Sequence, residues 1–178
     1  LKIDAGAIIN YSAVPFAGIS NTTTWSFTTR AGQDGAWTLN NNGNWFDTNN
    51  WANGLIAGGT VANAGGTADF STTDINNHRT ITITGAPAVI GSLILGDSNS
   101  SHDYRFSNGT GGSLVFDSPG DTAYLTDTSM RNQLFNHGFV VNDQLEIDVA
   151  TTGGLDVRGA ISGTGGITLK GGRLQLRS

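Results

Sequence analysis

Four residues in the middle of the chain, Asp117, Asp121, Asp127 and Arg131, are of the types that acid–base chemistry on a polysaccharide requires. Such a reaction needs carboxylates and a basic residue that converge on one groove. These four are neighbours only in sequence, and aspartates in turn-forming contexts commonly cap their own turns. The sequence therefore assigns no catalytic residues, and we expect the protein not to be an enzyme, with a lyase or hydrolase as the alternative.

Other catalytic and metal-binding patterns give little support for a site. There is no nucleophile-elbow motif and no phosphate-binding loop. The histidines, His78, His102 and His137, are widely separated and lack the spacing that places two ring nitrogens on one metal. No cofactor is predicted. Calcium is the one metal worth testing, because Asn-rich turns and three carboxylates could supply hard oxygen ligands: Asp47, Asp69 and Asp74.

Three tryptophans, Trp37, Trp45 and Trp51, lie close together among Asn and Gly residues. Exposed indoles could form a flat platform for sugar rings. Alternatively, the same rings could close the end of a stacked apolar core, as repeat proteins require. We expect the capping role, with glycan binding as the alternative.

Composition indicates the class of element that must position these residues. The 178 residues include 26 Gly and no Cys, and only 13% are charged. Abundant Gly, Thr, Ser and Asn disfavours helices and suits short strands joined by tight turns. The net charge of −5, with Lys and Arg scattered along the chain, argues against nucleic acid and anionic membranes as partners.

Leader and membrane signals are missing from the sequence. The chain begins without Met and without a basic stretch followed by an apolar one, so we expect it to be an internal part of a longer protein. No apolar run approaches the roughly 20 residues that span a bilayer, so we expect no membrane insertion within this fragment.

The N-terminal region resembles the last strands of bacterial Ig-like domains. The resemblance covers residues 5–29, which read AGAIINYSAVPFAGISNTTTWSFTT, and its marker is the terminal TTTWSFTT strand. A complete Ig-like sandwich needs about 100 residues. Residues 1–30 are therefore expected to be an incomplete Ig-like segment, with a boundary near Arg30–Gly35.

Residues 36–178 resemble autotransporter-associated β-strand repeat proteins. The resemblance rests on AWTLNNNGNWFDTNNWANG, on the later segments ADF, TITI and GSLILG, and on the closing ISGTGGITLKGGRLQL. It implies a Trp-rich entry or capping segment at 31–70 and a β-strand repeat region at 71–178. It also implies a right-handed parallel β-helix, whereas composition alone indicates only an all-β fold and leaves a β-sandwich as the alternative.

The same resemblance implies a function. We expect a secreted or cell-surface bacterial protein with a structural or adhesive role, which self-associates end to end or by strand exchange and could form filaments or a matrix. The alternative is a carbohydrate-binding module of a larger polysaccharide-active exoprotein, with a polysaccharide as its partner.

Overall fold

The computed structural model describes residues 32–59 and 65–177. Contacts divide the chain into two compact units, residues 1–30 and 31–178. The predicted Ig-like segment lies outside the described residues. The strands described below all belong to the second unit.

Sixteen short strands in the described residues form three parallel sheets. Sheet A contains, in spatial order, β1 (Gly35–Ala36), β3 (Thr67–Asp69), β6 (Ser92–Leu95), β9 (Ala123–Asp127), β12 (Leu145–Val149) and β15 (Ile167–Gly171). Sheet B contains β2 (Gly43–Asn44), β4 (Arg79–Ile83), β7 (Tyr104–Asn108), β10 (Asn132–Phe135), β13 (Gly154–Arg158) and β16 (Arg173–Arg177). Sheet C contains β5 (Pro87–Ile90), β8 (Ser113–Phe116), β11 (Val140–Val141) and β14 (Ser162–Gly163).

The chain visits the three sheets in turn, so each circuit adds one parallel strand to each sheet. The result is a right-handed parallel β-helix of about four turns, as the family resemblance implied, and not a β-sandwich. A first coil, residues 32–59, has only two-residue strands, and a last coil, residues 164–177, contributes only β15 and β16 to the described sheets. Two 3-10 turns, Thr48–Asn50 and Ala52–Gly54, complete the first coil.

Inward side chains stack in register along the axis. On sheet A, Ala68 pairs with Leu93, Leu93 with Leu125, and Leu125 with Ile147. All four are fully buried. A single coil buries too few apolar groups to offset the ordering entropy of its residues, which is roughly 1–2 kcal/mol per residue. Stacking makes one continuous core, which explains why alternating apolar pairs recur through the sequence.

Both apolar columns begin with a glycine in the first coil. Gly35 pairs with Ala68 on sheet A, and Gly43 pairs with Ile81 on sheet B. A Cβ on Gly35 would lie 2.9 Å from the Trp51 ring, and one on Gly43 would lie 3.0 Å from the Trp37 ring. The missing side chains therefore leave the space that two indoles occupy.

Candidate functional surfaces

The three tryptophans close the N-terminal end of the core. Trp37, Trp45 and Trp51 are all buried, and their rings surround Phe70 with centroid distances of 5.2, 5.7 and 5.6 Å. Each indole N–H donates to a backbone carbonyl, of Leu39, Ala57 and Trp45 respectively. No ring presents a face to solvent, so the sugar-platform alternative is wrong for these three residues.

The carboxylates considered for catalysis lie in different environments. Asp127 points into the core and is 2% exposed, whereas Arg131 is exposed in the turn before β10. Asp117 follows β8 and accepts a hydrogen bond from the Asn142 side chain. Asp121 is exposed and accepts from the backbone N–H of Thr122 in its own turn. Asp127 and Arg131 therefore do not face a common groove.

Asp127 belongs to a polar cluster inside the β-helix. Its Oδ1 accepts hydrogen bonds from the N–H and hydroxyl of Ser129 and, at 3.4 Å, from the Gln133 amide. Gln133 in turn accepts from the backbone N–H of Tyr104. Within the described residues the Asp127 Oδ2 is buried without a hydrogen-bond partner. Burial raises the pKa of Asp127 to about 6, against the lowering effect of the bonds from Ser129 and Gln133.

The carboxylates proposed as calcium ligands each support a turn. Asp47 caps the first 3-10 turn through the Asn49 N–H, Asp69 accepts from the N–H and hydroxyl of Ser71, and Asp74 accepts from the Asn99 amide. In the part of the chain that the structure describes, no group of three His, Cys, Asp or Glu side chains is arranged to hold a metal ion.

A neighbouring aspartate, Asp97, joins two successive corner loops. Its carboxylate accepts from the backbone N–H groups of Ile75, Ser101 and His102 and from the Ser101 hydroxyl. Burial by itself raises the pKa of Asp97, but these hydrogen bonds outweigh it and leave that pKa below its ordinary value.

Two histidines that are distant in sequence are adjacent in the fold. The rings of His78 and His102 lie 5.7 Å apart, edge to face, because they occupy the same corner in consecutive coils. His78 forms an ion pair with Asp103, and His102 Nδ1 lies 2.6 Å from the Ser101 hydroxyl. His137 is separate, and burial lowers its pKa. This contact joins two residues that are 24 positions apart in the sequence.

The fold also collects charges that are scattered in the sequence. Every described arginine lies on a strand of sheet B or directly before one: Arg79, Arg105, Arg131, Arg158, Arg173 and Arg177. Sheet B positions carry only two carboxylates, Asp103 and Asp156. Sheet A carries the opposite charge, with four carboxylates outside the core, Asp34, Asp69, Glu146 and Asp148, and the single cation Lys170.

Sequence reasoning missed this segregation because it treated the cations as scattered. A signal was present: Leu155-Asp156-Val157-Arg158 and Leu174-Gln175-Leu176-Arg177 share an arginine directly after an alternating apolar pair. Their strands pair in register, which places Arg158 opposite Arg177 on the outer face of sheet B.

The two ends of the β-helix differ in how they are closed. The last coil places Leu169 and Leu176 in register with the buried Ile147 and Val157, yet their side chains are 44% and 60% exposed. The first coil has one large exposed apolar residue, Leu55, at a groove of about 450 Å³ that Asp34 and Asp69 also line. The core is therefore covered at its N-terminal end and open at its C-terminal end within the described residues.

Comparison with known proteins does not add to this geometry. No family model, curated protein or solved structure matches the chain. In the ranges that the structure describes, no helix is long and apolar enough to cross a membrane.

Proposed function

We propose that the protein is a structural or adhesive module of a secreted bacterial surface protein, and that copies of it associate end to end. The observation that carries the proposal is the stack of parallel coils, in which the last described strands, β15 and β16, keep an edge beside Leu169 and Leu176 where further strands, of the same protein or of a second copy, can add. An unpaired strand edge next to apolar side chains favours the addition of further strands.

Charge favours a second copy, joined head to tail, as the occupant of this end. The last coil carries Lys170, Arg173 and Arg177 and no carboxylate. The described first coil carries Asp34 and Asp47 and no cation, with Leu55 exposed at the groove beside Asp34. Two last coils would repel each other, whereas a last coil and a first coil attract. A head-to-tail contact that does not close on itself generates a filament.

The extracellular part of the proposal is supported by the sequence. The Gly-, Asn- and Thr-rich segments of the chain are those on which residues 36–178 resemble secreted β-strand repeat proteins. The proposal assigns no catalytic step, since Asp127 faces the core and Arg131 faces solvent. Fractionation of the native host, with detection of the chain at the cell surface or in the medium, tests the location.

The assembly test compares the full chain with the double variant Leu169→Asn/Leu176→Asn by analytical ultracentrifugation and electron microscopy. We expect the mass of the wild-type chain to rise with concentration, and the double variant to stay monomeric. Added salt should weaken the wild-type association, because screening reduces the attraction between the charged ends.

Met130→Asn is the matched control, because Met130 is an apolar side chain that is 65% exposed away from both ends. It should assemble like the wild type. A wild-type chain that remains monomeric at high concentration, or a double variant that assembles normally, would overturn end-to-end association.

A further inference from the structure

We propose that the outer face of sheet B binds a carboxylated polysaccharide. Arg158 and Arg177 project from the adjacent strands β13 and β16, in register and about 4.8 Å apart, whereas Arg105 lies two strands from Arg158, on β7, and is level with Asp156. Arg105, Arg158 and Arg177 each keep about half of the side chain exposed. They form a patch of cations on the outer face of sheet B, in a protein whose net charge is −5.

The face already holds carboxylates between its arginines. Arg158 Nη2 lies 3.4 Å from one oxygen of Asp156, and Arg177 Nε lies 3.2 Å from the other. On the neighbouring part of the face, Arg105 Nε lies 3.2 Å from Asp103. Each guanidinium group contacts its aspartate through one nitrogen, and a guanidinium group has five N–H donors, so further donors are present for the carboxylates of a ligand.

The remaining groups on sheet B suit sugar hydroxyls. Asn132, the first residue of β10, accepts a hydrogen bond from Arg173 through its Oδ1, and Gln175 accepts one from Arg177. Amide groups also have N–H donors, and Asp103 and Asp156 add acceptors, so hydroxyl groups would find both kinds of partner. Polar side chains with both roles are what orient a bound sugar.

Two other anionic partners fit this face less well. Nucleic acid binding without sequence preference relies on aromatic rings for base stacking, and the outward positions of the described sheet B strands carry none. A protein interface has an apolar core, whereas Leu134 is the one large apolar residue among the outward positions of the central strands β7, β10 and β13.

Binding is tested by isothermal titration with polygalacturonate, with neutral dextran and single-stranded DNA as comparators. The Leu169→Asn/Leu176→Asn background is used so that loss of assembly and loss of binding are separate outcomes. We expect polygalacturonate to bind in a salt-dependent manner and dextran not to bind. Arg105→Gln/Arg158→Gln should weaken binding by about tenfold or more, because charge-assisted hydrogen bonds are lost.

Lys170→Gln is the matched control: it removes a cation from sheet A and should leave the affinity unchanged. Arg158→Lys keeps the charge but loses the fork, so it should weaken binding if carboxylates are recognised directly. Asp156→Asn should strengthen binding several-fold, since it releases two arginines and removes a repelling charge.

The carboxylate site would be overturned if Lys170→Gln and Arg158→Gln lowered the affinity for polygalacturonate equally, or if Asp156→Asn did not raise that affinity. Tighter binding of single-stranded DNA than of polygalacturonate would assign the face to nucleic acid instead. A folded chain that binds none of these polymers would overturn the proposal altogether.

Discussion

At the scale of single residues, the interior of this β-helix contains one ionisable group in a costly position. Asp127 replaces an apolar residue in the stack, and only one of its carboxylate oxygens has partners among the described residues. Its pKa of about 6 exceeds the ordinary value of 3.8. The native state therefore binds more protons than the unfolded state between these two values, and the free energy of unfolding falls as pH rises through that interval.

Replacement of Asp127 by Asn should reveal this penalty. The difference in unfolding free energy between Asp127→Asn and the wild type should rise from pH 4 to pH 8, by an amount on the order of 3 kcal/mol for a shift of this size. Urea denaturation at several pH values measures it. Asp121→Asn, at an exposed turn, is the control. A difference independent of pH would show that folding does not raise the pKa of Asp127.

Asp97 illustrates the opposite case, a buried carboxylate whose Oδ1 accepts one hydrogen bond and whose Oδ2 accepts three. Asp97→Ala would leave the N–H groups of Ile75 and His102 without their acceptor, whereas the Ser101 N–H also donates to Asn99. Unsatisfied buried donors cost about 1–3 kcal/mol each. We expect the free energy of unfolding to fall by about 3 kcal/mol and amide exchange at Ile75 and His102 to become faster, as measured by hydrogen exchange.

Asp74→Ala is the control for the same pair of loops, since its described side-chain bond goes only to the Asn99 amide. It should change stability little. Amide exchange at Ile75 that stays as slow in Asp97→Ala as in the wild type would contradict the role assigned to Asp97.

At the scale of elements, the first coil forms a cap in which glycines, because they lack side chains, leave room for the tryptophan rings. A Cβ on Gly35 would lie 2.4 Å from the Leu55 carbonyl oxygen and 2.7 Å from the Ala57 nitrogen. Both are backbone atoms, so the backbone at Leu55 and Ala57, which covers the end of the core, would have to shift to make room for a methyl group. The glycines and the tryptophans of this coil are therefore parts of one packing arrangement.

Gly35→Ala should loosen the cap. Overpacking of this kind typically costs about 1–3 kcal/mol, and we expect a lower urea midpoint by circular dichroism. Gly166→Ala is the control, because its new Cβ would meet mainly the flexible end of the Gln144 side chain. Equal midpoints for Gly35→Ala and the wild type would show that the segment over the core adapts freely.

Local patterns in the sequence predict the strands, but they do not predict how the first coil packs. Alternation such as Leu145/Ile147/Val149 indicates strands, and the Gly-Gly steps at 111–112 and 165–166 lie between strands, whereas Gly154 and Gly171 lie within β13 and β15. The burial of Trp37 and Trp51 depends on glycines in register with Ala68 and Ile81. That register is a long-range property, so local sequence left cap and sugar platform as open alternatives.

At the scale of the whole molecule, the number of residues in each coil determines which side chains share a surface. Residues such as Arg105 and Arg158 share a face only because successive circuits return the chain to the same sheet. Coils differ in length: Ser92 pairs with Tyr124, whereas Leu145 pairs with Ile167. No fixed sequence period therefore marks the arginine patch or the contact between His78 and His102, and both are visible only in the fold.

The stacking of the coils has a mechanical consequence. The hydrogen bonds between coils run along the axis, so a pull in that direction loads the bonds between two neighbouring coils before those of the next pair. At the first coil, separation must also break the cluster that the three indoles form with Phe70 of the second coil. The β-helix is therefore expected to yield coil by coil under tension, absorbing work in successive small steps, as suits a tether that must stretch without sudden rupture.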